Sequence, residues 1–196
     1  MTYRNYYTYG IKTTSEINAL TNLKEGESVW NSDLSKPEYV VNNGGTLLWV
    51  NEDCIVCINN QGSAVSEGDL VRIDNSVALP GAYVRLQTDP GLGTPANRYL
   101  QTGVVFRGGN NGSKIVVAQQ GLYKVKYRNI GVGTVATRGN IVIYSITAGQ
   151  VVQIASTSTG SGTYGAIGIV MQQLTNAQVI ANNYLVKIMI QNLTAN

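Results

Sequence analysis

An internal repeat is the feature of this sequence that most constrains its fold. Residues 62–127 are similar to residues 133–190 at glycines and apolar positions, whereas the charged residues and the lengths between them differ. A repeated scaffold whose polar groups do not match favours a building unit over an active site. The matched segments are Gly62–Val71 with Gly133–Val142, Tyr83–Leu86 with Val151–Ile154, Gly103–Phe106 with Gly168–Met171, and Val116–Val125 with Val179–Ile188.

Short apolar runs bounded by glycine, proline and asparagine follow one another from Ser28 onward, and Gln178–Ala181 is one of them. Such runs predict strands, and the Asn-Gly turn between Tyr39–Val41 and Thr46–Val50 predicts a hairpin. The expected fold class is mainly β, with a duplicated small β-barrel or sandwich unit behind a short N-terminal arm and helix. The expected domains are the arm and helix (1–27), a small β-hairpin module (28–60), a first copy of the β-unit (61–130) and a second copy (131–196).

The N-terminal region carries one predicted helix and a tyrosine-rich arm. Thr13 and Glu16 have capping-box spacing, and Ile17, Leu20 and Leu23 then share a helical face, which predicts a helix of about three turns over residues 14–24. The arm, residues 1–12, has two interpretations. It is an anchor whose tyrosines bury large rings against a partner, or it is a frayed terminus. Its tyrosines are Tyr3, Tyr6, Tyr7 and Tyr9.

Charge is scarce and unevenly distributed. Charged residues make up 13% of the chain, about half the usual fraction. All eleven acids lie in residues 1–89 beside six basic residues, whereas residues 90–196 carry eight basic residues and no acid. Such asymmetry steers like chains into contact, or steers the basic half onto an acidic partner. From residue 139 onward Lys187 is the only charge, so we expect much of this stretch to face another subunit.

Nucleic acid and membrane are not expected partners. The basic residues are dispersed, and no nucleic-acid-binding motif surrounds them. No apolar run approaches the roughly 20 residues that span a bilayer, and the polar, aromatic start is not typical of a signal peptide.

The residue types needed for most catalytic sites are missing or unpaired. The chain has no histidine, which excludes Ser-His-Asp and Cys-His sites and His-ligated zinc. Cys54 and Cys57 form a lone CxxC pair inside an apolar run, which favours two reduced, partly buried thiols. No carboxylate spacing predicts a pair across a cleft, and Gly108–Lys114 lacks P-loop spacing. We therefore predict no catalytic residue, no metal site and no cofactor.

Four aromatic residues are candidates for stacking on sugar rings. Two are tryptophans in strand-like segments, for which a place in the core or in an interface is the alternative. The other two are tyrosines in loop-like segments. The candidates are Trp30, Trp49, Tyr99 and Tyr164.

Two parts of the sequence resemble proteins of tailed bacteriophages. Gly26–Asp33 followed by Tyr39–Trp49 is similar to a short fibre-protein module, in which a strand, an Asn-Gly turn and a tryptophan strand recur. The segments Glu67–Val71, Gly103–Val105 and Val116–Gly121 resemble the repeats of phage head-fibre and capsid-decoration proteins.

The resemblance implies a structural virion protein without enzymatic activity, assembled in the host cytoplasm. Proteins of this kind are rich in β-structure, often trimeric, and bind a capsid or another virion protein through an N-terminal segment. The residues that would dock on the particle here are Tyr3, Tyr6, Tyr7, Tyr9, Ile17 and Leu20.

Two further functions remain open from the sequence. One is a receptor-binding tail-fibre or adhesin module whose aromatic residues bind host surface glycan. The other is a glycan-cleaving depolymerase, which needs a pair of carboxylates about 5–10 Å apart.

Overall fold

The computed structural model describes residues 7–73, 82–85, 102–127, 136–144, 150–154 and 166–190. The fold is mainly β, which confirms the predicted class. The strands are β1 (Ile11–Lys12), β2 (Ser28–Asn31), β3 (Lys36–Asn43), β4 (Thr46–Val50), β5 (Cys54–Asn59), β6 (Leu70–Ile73), β7 (Ala82–Arg85), β8 (Thr102–Arg107), β9 (Lys114–Ala118), β10 (Gly121–Lys126), β11 (Ile141–Tyr144), β12 (Val151–Ile154), β13 (Ala166–Val170) and β14 (Leu185–Ile190). The helices are α1 (Thr14–Asn18) and α2 (Asn176–Ala181).

The first four strands form the N-terminal sheet, in the order β1-β2-β3-β4. β1 pairs with β2 in parallel, and β3 and β4 form the predicted hairpin, in register from Tyr39 opposite Val50 to Asn43 opposite Thr46. One face of this sheet carries its own core of Ile17, Val29, Val40 and Trp49, against which Tyr9, Leu20, Leu23 and Leu47 pack.

Helix α1 is shorter than the sequence predicts. The capping box is present, since the Thr13 hydroxyl accepts from the Glu16 amide and the Glu16 carboxylate accepts from the Thr13 amide. The helix nevertheless has five residues, not three turns. Thr21 and Asn22 are weak helix formers, and Asn22 has a φ of 55° that no helix accommodates. The Leu20 side chain still packs against the core of the N-terminal sheet, and a turn after the helix, not the helix itself, brings it there.

The next five strands form the closed sheet, in which β5, β7, β6, β8 and β9 follow in order and β9 pairs again with β5. All of its pairs are antiparallel except β5 with β7, where Ile58 lies opposite Ala82 and Asn59 opposite Tyr83. Its interior is the cluster of Cys57, Val65, Val71, Val105, Ile115 and Val117, with Ile55 packed against it.

The last five strands form the C-terminal sheet, in the order β10-β14-β13-β11-β12. Its described pairs are antiparallel, and a single parallel bridge between Tyr127 and Val151 connects its two outer strands. Residues alternate between the two faces of a strand, and in β10 the inner positions Tyr123 and Val125 are buried whereas Lys124 between them is exposed.

One large core joins the closed sheet to the C-terminal sheet. The closed sheet contributes residues of its outer face, which alternate with its interior residues along each strand. The C-terminal sheet contributes its inner face. The members of this core that belong to the closed sheet are Leu70, Val104, Phe106, Val116 and Ala118. The members that come after the closed sheet in the chain are Tyr123, Val125, Tyr127, Ala136, Val142, Val151, Ile167, Val170, Val179, Val186, Ile188 and Ile190.

The structure contradicts two sequence predictions near the C-terminus. Gln178–Ala181, predicted as a strand, lies in helix α2, which begins after a capping box formed by Thr175 and Gln178. The sequence match of Val116–Val125 with Val179–Ile188 is therefore wrong, because Val116 lies in a strand whereas Val179 lies in helix α2.

Candidate functional site

The outer face of the N-terminal sheet carries an exposed apolar surface. The register places Ile11 opposite Trp30 and Trp30 opposite Pro37, and Tyr39 is two residues beyond Pro37 on the same strand. Directly opposite residues share a face, as do residues two apart. Ile11 is 62% exposed and Tyr39 is 45% exposed, while Trp30 and Pro37 are half-buried. These four residues, with Tyr7, are called the aromatic face below.

Tyr7 extends the aromatic face, because its ring lies 5.9 Å from that of Trp30 at an angle of 48°. Tyr9 instead points to the opposite side of the sheet. Its hydroxyl donates to Glu27 Oε2 at 3.0 Å, and its ring meets Trp49 edge-on at 5.9 Å. This hydrogen bond raises the pKa of Tyr9 above its usual value, because it holds the hydroxyl in its neutral form beside a carboxylate. The arm from residue 7 onward is therefore tied into the sheet.

The remaining predicted docking residues lie on the helix side. Ile17 is fully buried in the core of the N-terminal sheet, and Leu20 packs against the same core. Ile17 therefore stabilises the helix and does not offer its side chain to a partner, which corrects its assignment to the docking surface. Tyr3 and Tyr6 lie outside the described residues.

Of the four glycan-stacking candidates, one lies on the aromatic face, one lies in the core and two lie outside the described residues. Trp30 presents part of its ring on the aromatic face. Trp49 is only 4% exposed, and its ring is enclosed between the helix and the sheet, so it cannot stack on a sugar. Its assignment is therefore corrected to the core. Tyr99 and Tyr164 lie outside the described residues.

A buried ion pair holds the N-terminal sheet to the closed sheet. Glu38 of β3 is fully buried, and its Oε2 lies 2.7 Å from Nη2 of Arg107 in β8. Arg107 also donates from Nη1 to the Trp49 carbonyl at 2.9 Å and from Nε to Asn18 Oδ1 at 2.9 Å. The guanidinium thus contacts strand β3, strand β4 and the end of helix α1 together. Such a multidentate contact fixes orientation in a way that a single point charge does not.

A second polar cluster lies where the N-terminal sheet, the closed sheet and β10 meet. Lys36 of β3 forms an ion pair with Asp53, whose side chain is 5% exposed. The Tyr123 hydroxyl donates to Asn51 Oδ1 at 2.9 Å and contacts Cys54 Sγ at 3.5 Å. Burial raises the pKa of the Cys54 thiol to about 11, and burial likewise raises the pKa of Tyr123 above its usual value. Both groups are therefore neutral at physiological pH and act as packing and hydrogen-bonding groups.

The described residues include a small cavity but no cluster of metal-binding side chains. No cluster of three or more metal-binding side chains is found among them. A partly open cavity lined by Asp33, Phe106 and Lys124 measures about 30 Å³, which is room for one water molecule. Within the same ranges, no helix has the length and apolarity that would let it cross a membrane.

Sequence reasoning missed most of the aromatic face. Ile11, Pro37 and Tyr39 were not assigned to a site, and the ion-pairing residues Glu38 and Arg107 were not connected. Strand alternation places Tyr39 on the face opposite to Glu38 and Val40, but the sequence does not show that the face with the charged Glu38 is the buried one. The pairing of Glu38 with Arg107 spans two sheets, and no local pattern indicates it.

Comparisons with known proteins add no assignment: no protein-family model matches the chain, and no curated protein matches it significantly.

Proposed function

We propose that this chain is a structural component of a bacteriophage virion, a head fibre or capsid-decoration protein that acts by binding and self-association. The proposal rests on two five-stranded sheets with corresponding strand orders, which lie beside a sheet with an exposed aromatic face. The sequence resemblance to head-fibre and capsid-decoration repeats points in the same direction.

The proposed duplication is supported by strand order. β5, β6, β7, β8 and β9 correspond to β10, β11, β12, β13 and β14, and each pairing in the closed sheet has a counterpart in the C-terminal sheet. The parallel pair that closes the first ring corresponds to the bridge between Tyr127 and Val151. Each copy is then a small five-stranded barrel, complete in the first copy and joined by a single bridge in the second. The proposed copies are residues 54–118 and 121–190, so the boundaries shift from those expected at 61, 130 and 131.

Hydrogen bonds at equivalent turns give further support. The Gly68 amide donates to the Val105 carbonyl at 2.8 Å, and the Gly139 amide donates to the Val170 carbonyl at 2.9 Å. A bridge between Val65 and Gly109 corresponds to one between Ala136 and Leu174. Because these bonds join strands distant in sequence, their recurrence is not a consequence of local composition.

The proposed docking surface is the aromatic face. Tyrosine and tryptophan are enriched at protein interfaces because they bury large areas at a low cost in side-chain entropy. Isolated apolar residues on a protein surface are common, but Ile11, Trp30, Pro37 and Tyr39 form one contiguous patch. The Glu38–Arg107 ion pair would hold this face rigidly relative to the β-units.

Location on the particle tests the proposal. Gold-labelled antibody against the purified chain, applied to virions from cells that produce it, is expected to mark the head surface. Virions carrying a Trp30→Ala and Tyr39→Ala variant are expected to lose the label, while virions with Ile180→Ala, which changes an exposed residue of helix α2, keep it. Absence of the chain from intact particles would contradict the proposal.

The alternative is a receptor-binding tail-fibre or adhesin module, and it is favoured by one observation. Trp30 and Tyr39 offer partly exposed rings on one surface, as a sugar-stacking site requires. Label at the tail tip, together with saturable binding on a glycan array that Trp30→Ala abolishes, would establish the alternative.

A further inference from the structure

The outer face of the C-terminal sheet carries a continuous apolar row across four strands. Leu122 lies opposite Met189, Met189 opposite Ile169, and Ile169 opposite Ile141. All four side chains are half-buried in the chain alone. They are called the outer row below.

The equivalent row of the closed sheet is fully buried at three of its four positions, and Cys54 at its end is half-buried. There Cys54 lies opposite Ala118, Ala118 opposite Val104, and Val104 opposite Leu70. Leu70, Val104 and Ala118 are 0% exposed, because they belong to the core shared with the inner face of the C-terminal sheet. One copy of the unit thus uses this face to receive the next copy, whereas the residues of the outer row are half-buried and lie outside the shared core.

The turns beside the two rows also differ in how closely other segments pack against them. The turn at Gly68 is covered by β10, since the Lys126 amide donates to the Gly68 carbonyl at 2.9 Å and Lys126 Nζ lies 2.7 Å from Asp69 Oδ1. A side chain at Gly68 would collide with Leu185, whereas a side chain at Gly139, the equivalent glycine, would meet no atom of the described residues within 4 Å. Among the described residues, no segment therefore covers the turn at Gly139 as β10 covers the turn at Gly68.

Charge indicates what could occupy the open face. Lys124 lies directly opposite Lys187, two residues along β10 and β14 from the Leu122–Met189 pair and therefore on the same face as the outer row. Like charges directly opposite each other are destabilising. A shallow groove of about 380 Å³ is lined by these two lysines and by Gln172, Asn182 and Asn183. Arg138 is exposed at the open turn. The residues after 89 include no acid, whereas residues 1–89 hold all eleven.

We propose that the outer row, with Lys124, Lys187 and Arg138 at its margin, binds the acidic N-terminal half of a second copy of this chain. The contact is head-to-tail, so it generates a ring when the rotation closes and a filament when it does not. The proposal rests on the self-association included in the proposed function, and it specifies the surface and the partner for that self-association.

The test compares Ile169→Glu with Ile180→Glu by sedimentation velocity at micromolar concentration. Ile169 lies in the middle of the outer row, whereas Ile180 is 45% exposed on helix α2 outside it. Ile169→Glu is expected to weaken association about tenfold or more, because it buries a carboxylate in an apolar contact, and Ile180→Glu is expected to leave association unchanged. Circular dichroism and thermal unfolding verify that both variants are folded.

A mixing experiment tests the direction of the contact. In a head-to-tail contact an Ile169→Glu chain keeps an intact N-terminal half, so it should still bind the outer row of an unchanged chain and form mixed dimers. Lys124→Glu with Lys187→Glu should also weaken association, and added salt should weaken the association of the unchanged protein because the attraction is partly electrostatic.

The outcomes separate this proposal from the proposed function. An unchanged protein that is monomeric would overturn the self-association on which both rest. Association that survives Ile169→Glu would overturn the outer row as the surface while leaving the proposed function intact. Association that Ile169→Glu abolishes without any mixed dimer would overturn the head-to-tail partner and would indicate packing of the row against itself.

Discussion

At the scale of single residues, burial changes the acid–base chemistry of the Cys54 thiol. Burial against Tyr123 raises the pKa of its thiol to about 11. The unfolded chain ionises this thiol at a lower pH than the folded chain, so the contribution to stability is complete below the unfolded pKa and is lost as the pH rises through the folded pKa. A shift of this size corresponds to about 2–3 kcal/mol.

The expected result is a fall in the free energy of unfolding between pH 8 and pH 11 that is smaller in Cys54→Ala than in the unchanged protein. Denaturant titrations at the two pH values measure it, and thiolate absorbance follows the ionisation directly. Equal falls in the two proteins would show that Cys54 is accessible to solvent.

Residue roles were predictable from the sequence only where strand alternation reveals them. Trp30 and Trp49 are both strand tryptophans, yet Trp30 is half-buried and Trp49 is only 4% exposed. Strand alternation predicts which of the two tryptophans is buried only when it is known which side of the sheet the helix covers. That choice depends on Ile17 and Leu20, which fill the space above Val29 and Val40.

At the scale of elements, two glycines at positions that the proposed duplication makes equivalent define how closely strands approach. A Cβ atom on Gly103 would lie 2.8 Å from the Ala118 carbonyl oxygen, and one on Gly168 would collide with the Met189 carbonyl oxygen. Backbone atoms cannot move aside as a flexible side chain can, so an alanine at either position forces the strands apart.

We expect Gly103→Ala and Gly168→Ala each to lower the free energy of unfolding by about 1–3 kcal/mol. Gly109→Ala is the matched control, because its Cβ would meet its nearest atoms at 3.2–3.4 Å and should cost less. Denaturant titration compares the three variants. A loss at only one of the two equivalent positions would argue against the proposed equivalence of the copies.

The strand predictions succeeded where Gly, Asn and alternating apolar residues coincide, as in the hairpin Tyr39–Val50. Helix α2 was missed although its capping box, Thr175 followed by Gln178, is visible in the sequence. The sequence match aligned Val179 and Ile180 with a strand of the first copy, so this segment was predicted to be a strand although the capping box indicates a helix. The pairing of distant strands, including the closure of β5 with both β7 and β9, has no local signal at all.

At the scale of the whole molecule, the Glu38–Arg107 ion pair determines how the N-terminal sheet sits on the closed sheet. Glu38 is 0% exposed, so removal of its charge leaves the Arg107 guanidinium buried beside a neutral group. Loss of one partner of a buried pair costs about 3–5 kcal/mol, much more than loss of an exposed contact.

Glu38→Gln is therefore expected to destabilise the protein by about 3–5 kcal/mol. Lys114→Ala is the matched control, because Lys114 also bridges the closed sheet to the N-terminal sheet, through Asn43, but at an exposed position. Its loss should cost less than about 1 kcal/mol. Urea unfolding and the rate of proteolysis at the junction compare the two. If Glu38→Gln were no more damaging than Lys114→Ala, the Glu38–Arg107 pair would not be what fixes the N-terminal sheet on the closed sheet.

The central claim is that a duplicated β-unit serves as a structural part of a virion. Quantitative mass spectrometry of purified particles tests it most directly. The account predicts that the chain is present in many copies per particle, in a fixed ratio to the major capsid protein after washing. A chain that is abundant in infected cells yet absent from purified particles would contradict the account.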